Sequence, residues 1–141
     1  MKRILTLIAL LLFTVTTNAQ TQPPSESVLD RFLRYVKIDT LSAEDQNKVP
    51  STEKQLVLAN LLAKELTELG AENVRVSEFG IVYASIPGNL PDNSKAPVIG
   101  FIAHMDTSPG VSGENVQAII HKNYRGGDII LPKDPTQIIT V

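Results

Sequence analysis

The chain has 141 residues, 43% of them apolar and 20% charged, with two histidines and no cysteine or tryptophan. That length holds at most one domain of ordinary soluble composition. Without cysteine there is no disulfide framework, thiolate zinc site, iron–sulfur cluster or cysteine nucleophile, and a net charge of -2 argues against a nucleic-acid partner.

The first nineteen residues read as an address rather than as part of the fold. Lys2 and Arg3 precede an uncharged, mostly apolar run from Ile4 to Val15, and Thr17-Asn18-Ala19 follows as a small-x-small cleavage site. This is the layout of a secretory signal peptide. Twelve residues fall short of the ~18–20 that a membrane-spanning helix needs, so no stable membrane anchor is expected. Cleavage near Ala19 would export the chain to a periplasm or the medium. It would leave 11 basic against 15 acidic residues, a net charge of about -4. Residues 20–26 form a flexible lead-in, and 27–141 the folded part.

Val28, Leu29, Phe32, Leu33 and Val36 recur at helical spacing behind Ser27 and Asp30, which predicts a helix from about Ser27 to Ile38. Asp39 to Val49 is a polar connection. Pro50-Ser51-Thr52-Glu53 opens a second helix with Ser51 or Thr52 as its cap. Leu56, Ala59, Leu62, Leu66 and Leu69 line one face of it, as a core stripe does, and Gly70 closes it. The period then becomes extended. Val74-Arg75-Val76 and Ile81 to Ile86 predict an antiparallel pair turning at Glu78-Phe79-Gly80. A loop dense in turn formers covers residues 87–94. Pro97 to Ala103 is apolar on both faces, the pattern of a strand in the middle of a sheet covered on both sides. Helices followed by such strands describe the start of an α/β domain.

That apolar segment ends in His104-Met105-Asp106. Ligands of open α/β sheets collect at the carboxyl ends of strands, and residues two apart in an extended segment point the same way. His104 and Asp106 therefore lie side by side. One reading makes His104 a metal ligand whose second ring nitrogen is held by Asp106. The other makes them an ordinary hydrogen-bonded pair at a strand end. One histidine cannot complete a zinc site, which takes at least three protein ligands. Asp128, Asp134 and Glu114 are carboxylates that could contribute, at no suggestive spacing. His121 and Arg125 read as surface residues, and Asn123 to Asp128 as a turn shaped by Gly126-Gly127. No G-x-S-x-G, Walker loop or G-x-G-x-x-G occurs.

Phe101-Ile102-Ala103-His104-Met105-Asp106-Thr107-Ser108-Pro109 resembles the first metal-ligand motif of the M20 metallopeptidases, and within them of the tripeptide aminopeptidases, the peptidase T family. Three further segments resemble that family in the same order. They are Leu29 to Val36 with Asp39-Thr40, Val49-Pro50-Ser51-Thr52-Glu53, and Asn123-Tyr124-Arg125-Gly126-Gly127-Asp128-Ile129. The resemblance implies the N-terminal part of a zinc-exopeptidase-type α/β catalytic domain, a mixed sheet with flanking helices, without the lid or dimerisation domain. It implies His104 as ligand to one ion of a two-zinc (Zn2+) centre, with Asp106 holding the imidazole. It also implies tripeptide substrates with free amino termini, hydrolysed by a zinc-activated water, and a possible homodimer in the full-length enzyme. The bridging aspartate, catalytic glutamates and remaining ligands of that family have no counterpart here, so the chain is expected to be a fragment inactive alone. The alternatives are another M20 hydrolase (a carboxypeptidase, dipeptidase or deacylase) or a secreted, non-catalytic binding module.

Overall fold

A computed structural model describes residues 25–91 and 94–141; the address segment 1–19 and the start of the lead-in lie outside them. Two helices and four strands follow in order: α1 (Val28–Tyr35), α2 (Gln55–Glu68), β1 (Glu72–Val76), β2 (Val82–Ser85), β3 (Ile129–Leu131) and β4 (Asp134–Ile139). The result is a small α/β unit with two separate two-stranded antiparallel sheets, β1–β2 and β3–β4. No helix among the described residues is long and apolar enough to cross a membrane.

α1 starts where its cap lies. Ser27 Oγ accepts the Asp30 amide proton at 3.1 Å and donates to Asp30 Oδ2 at 2.6 Å, which satisfies a free amide at the helix start. The apolar stripe expected on α1 stays largely uncovered, with Phe32 58% exposed. α1 is held to α2 by its polar face instead. Arg31 and Arg34 donate to Glu65 at 3.2 and 2.5 Å, and the Tyr35 hydroxyl bonds the same carboxylate. Glu26, at the end of the lead-in, joins this cluster through Arg34 at 2.5 Å.

α2 begins at Gln55, after Ser51 and Thr52, and neither of those hydroxyls caps it. Ser51 Oγ accepts from the Ala43 amide at 3.1 Å, and Thr52 Oγ1 donates to the Leu41 carbonyl at 2.6 Å. Both tie the preceding connection down rather than closing the helix end. At the other end Gly70 takes φ 84°. Its amide reaches the Thr67 carbonyl and that of Ala71 the Leu66 carbonyl, the paired bonds of a Schellman close. α2 packs on β1 and β2, and its Leu58 and Ala59 are the buried apolar side chains among the described residues.

The β1–β2 hairpin forms as its alternation predicts, pairing Arg75 with Tyr83 and Val76 with Val82 across the turn at 78–80. The guanidinium of Arg75 lies 4.1 Å from the Tyr83 ring centre. Two expectations fail. Pro97–Ala103 forms no strand, and Val98, Phe101 and Ile102 are 99%, 95% and 101% exposed. The mixed sheet built around it is likewise absent among the described residues. A strand apolar on both faces is stable only between hydrogen-bonded neighbours and under cover on both sides, and both hairpins here pair only internally. The second hairpin, β3–β4, was not among the expected elements, although Pro132-Lys133 stands between the apolar Ile129-Ile130-Leu131 and Ile138-Ile139. It contains Pro135, which a two-stranded ribbon tolerates because each of its strands is an edge.

Candidate functional site

His104 and Asp106 meet as their spacing requires. Nδ1 of His104 lies 3.1 Å from Asp106 Oδ1 and 2.9 Å from the Asp106 carbonyl oxygen. Both neighbours are acceptors, so this nitrogen carries the proton and the neutral ring presents a bare Nε2. The imidazole is 85% exposed and the carboxylate 45%. A histidine fixed in this tautomer by an oxygen on its other nitrogen is prepared to donate a lone pair, to a metal or to a proton.

The pair sits at the rim of an open cavity of about 420 Å³, together with Tyr35 and Glu65 from the helices and Ile81 from the hairpin. A second cavity of similar size lies on the other side of His104–Met105, against Phe32, Leu58 and Val116. Glu65 is the charged group facing the first cavity from α2. Burial raises its pKa, but the hydrogen bonds from Arg34 and Tyr35 and the charges of Arg34 and Arg31 outweigh that and hold it below the usual carboxylate range. With Arg31, Arg34 and Glu26 around it, this cluster is neutralised internally and offers no free charge to a ligand.

No group of three or more histidine, aspartate or glutamate side chains able to hold a metal occurs among the described residues. Of the carboxylates considered as further ligands, Asp134 is engaged by the Thr136 amide and hydroxyl at 3.1 and 2.6 Å. Asp128 faces the Val141 amide at 3.4 Å. Glu114 is not brought into a cluster with His104. His121 and Arg125 lie on the surface. Asn123 to Asp128 is a turn, with Gly126 and Gly127 at φ 102° and 98° and the Tyr124 hydroxyl donating to the Gly127 carbonyl at 2.5 Å.

The contacts that hold the far end of the motif had no local signal. Thr107 donates its amide proton to the Thr40 carbonyl at 3.2 Å, and its own carbonyl accepts from the Ser42 amide at 2.9 Å and the Ser42 hydroxyl at 2.8 Å. Asp39 braces this segment, accepting from the Leu41 amide at 2.9 Å and from Lys54 Nζ at 2.6 Å. The Lys54 ammonium and the Leu41 amide hold the Asp39 carboxyl below its usual range.

An exposed imidazole oriented by a carboxylate, at the mouth of a cavity on an α/β scaffold, is the candidate site among the described residues. Comparison with known proteins narrows the class. The chain is 50% identical over 115 residues to peptidase T of Clostridium acetobutylicum, 51% over 113 residues to that of Halothermothrix orenii, and 52% over 115 residues to that of Desulfitobacterium hafniense. These matches cover 80–82% of the chain and 27–28% of the relatives. No protein-family model matches it. The chain is a homologue of peptidase T over four fifths of its length, and it spans little more than a quarter of the length of those relatives. A match of 115 residues within 141 includes His104 and Asp106 wherever it starts.

Proposed function

We propose that this chain carries the N-terminal part of the catalytic domain of an exported, zinc-dependent tripeptide aminopeptidase. The observation that carries the reading is the likeness to peptidase T across the stretch that contains the oriented His104–Asp106 pair. Nε2 of His104 would be the donor to one zinc ion, with Asp106 fixing the tautomer and aim of that ring. The donor set fits one ligand and its orienting carboxylate, and the remaining ligands and the general base belong to the rest of the polypeptide. Bound zinc would supply a polarised carbonyl and a water made nucleophilic near neutral pH. The substrate is a short peptide with a free amino terminus. The basic start, apolar run and Ala19 support export, and the amino terminus of the secreted form should then be Gln20.

The test is a fusion in which residues 20–141 replace the matching segment of Clostridium acetobutylicum peptidase T. It should release the first residue of a tripeptide in a zinc-dependent reaction. His104→Ala should abolish that activity and lower the zinc content. A folded fusion that works equally well without His104, or that requires a free carboxyl terminus instead of a free amine, overturns the reading. The 141-residue chain alone should show no tight stoichiometric zinc binding, since one imidazole and one carboxylate fall short of three ligands.

A further inference from the structure

We propose that Asp39 is a positioning residue for the His104–Asp106 pair, acting through the strap Thr40–Ser42; this rests on the reading of that pair as the site. The extended stretch before the motif is anchored by no strand partner, and its apolar residues are exposed. The nearest fixed point is Thr107, the residue after Asp106, which makes three hydrogen bonds to Thr40 and Ser42. The two backbone bonds form a parallel bridge between Leu41 and Thr107, and the Ser42 hydroxyl adds the third, joining segments 65 residues apart.

The strap is in turn tied to the start of α2 by the Asp39 carboxylate, beside the Thr52 hydroxyl that donates to the Leu41 carbonyl at 2.6 Å. Oδ1 of Asp39 takes the Leu41 amide at 2.9 Å, and Oδ2 takes Lys54 Nζ at 2.6 Å, at the start of α2. Thr40 between them is 3% exposed. The loop beyond the motif closes on the same carboxylate: a Cβ on Gly113 would stand 2.6 Å from Asp39 Oδ1 and 3.5 Å from Thr107 Oγ1. Asp39 thus fastens the strap to the helix, and the returning loop passes close against it at Gly113. The backbone around Asp106 follows, and with it the carbonyl and carboxylate oxygens that jointly hold His104 Nδ1. A small shift at Thr107 would separate those two acceptors from the ring, because each bond tolerates only a few tenths of an ångström.

The readout is the tautomer of His104, followed by long-range proton–nitrogen correlation of the imidazole in the full 141-residue chain. The wild-type ring should carry its proton on Nδ1. Asp39→Ala should drop that form below half of the neutral ring, toward the Nε2–H form that free imidazole favours. Asp39→Asn, which keeps an acceptor for the Leu41 amide, should give an intermediate value. Tyr83→Ala, which removes the stacking with Arg75 on the β1–β2 hairpin away from the strap, should leave the tautomer unchanged. If Asp39→Ala loses its helical circular dichroism, Ser42→Ala carries the test by removing one of the three bonds to the strap, and should shift the ring partway. A wild-type tautomer in Asp39→Ala, or an equal shift in Tyr83→Ala, overturns the positioning role. Zinc and activity surviving His104→Ala in the fusion would sink the site reading while leaving the tautomer result intact.

Discussion

At the scale of single residues, the chemistry proposed for this chain rests on one imidazole and the oxygens that hold it. Asp106→Asn keeps the shape but replaces a charged acceptor by a neutral group that can also donate, so the tautomer is held by the Asp106 carbonyl with a weaker second acceptor. Removing an orienting carboxylate of this kind typically costs about 10- to 100-fold in metal affinity or activity. That range is the expected loss for Asp106→Asn in the peptidase T fusion, read by zinc titration and initial rates. The pairing itself was legible in the sequence because it is local: two residues apart in an extended segment fixes which way both side chains face. Ser42 and Lys54 were not legible. Their partners lie 65 and 15 residues away, and nothing in a hydroxyl or an ammonium announces a contact that only the folded chain creates.

At the scale of elements, local patterns decide where helices and turns fall, and packing decides which face they use. The α1 cap, the glycine close of α2 and the β1–β2 alternation were readable, whereas the expected α2 cap was not formed because Ser51 and Thr52 bond the preceding connection. The face of α1 was not readable, since its apolar stripe and its Arg31–Arg34–Tyr35 face are both present at helical spacing and Glu65 selects the second. That choice makes the α1–α2 contact sensitive to acid. Glu65 has a folded pKa below its ordinary 4.5, so its contribution is complete above about pH 4.5 and is lost as the pH falls through the lower folded value. Far-ultraviolet circular dichroism and amide exchange in α1 should show it detaching below pH 4.5, and Glu65→Gln should show weakened protection already at neutral pH. Protection of α1 independent of pH in the wild type would contradict this. The turn of the first hairpin offers a second check. Gly80 has φ 75°, and a Cβ there would meet Leu56 Cδ2 at 3.3 Å and Pro50 Cγ at 3.4 Å. Gly80→Ala should therefore destabilise the α2–β1–β2 unit by about 1–2 kcal/mol in urea unfolding.

At the scale of the whole molecule, the segment Val98–Ile102 decides what the chain can do by itself. Its sequence is that of a buried strand, yet in the structure its side chains face solvent and no strand pairs with it. The sequence pattern reports the environment the segment is built for, whereas the structure reports the neighbours that these residues provide. The two differ because, among the described residues, no strand pairs with this segment and nothing covers it. Phe101→Glu separates these contexts. In the 141-residue chain the charge breaks an exposed apolar run, and runs of that kind drive association. The variant should stay monomeric at concentrations where the parent self-associates, and should bind less of a hydrophobic dye. In the fusion, where this segment is proposed to lie inside a sheet, the same carboxylate would be buried without a partner at a cost of several kcal/mol. The fusion should then fail to fold or lose its activity. Sedimentation of the chain and thermal unfolding of the fusion measure the two arms. A tolerant fusion would mean that Val98–Ile102 is a surface segment in the larger protein as well.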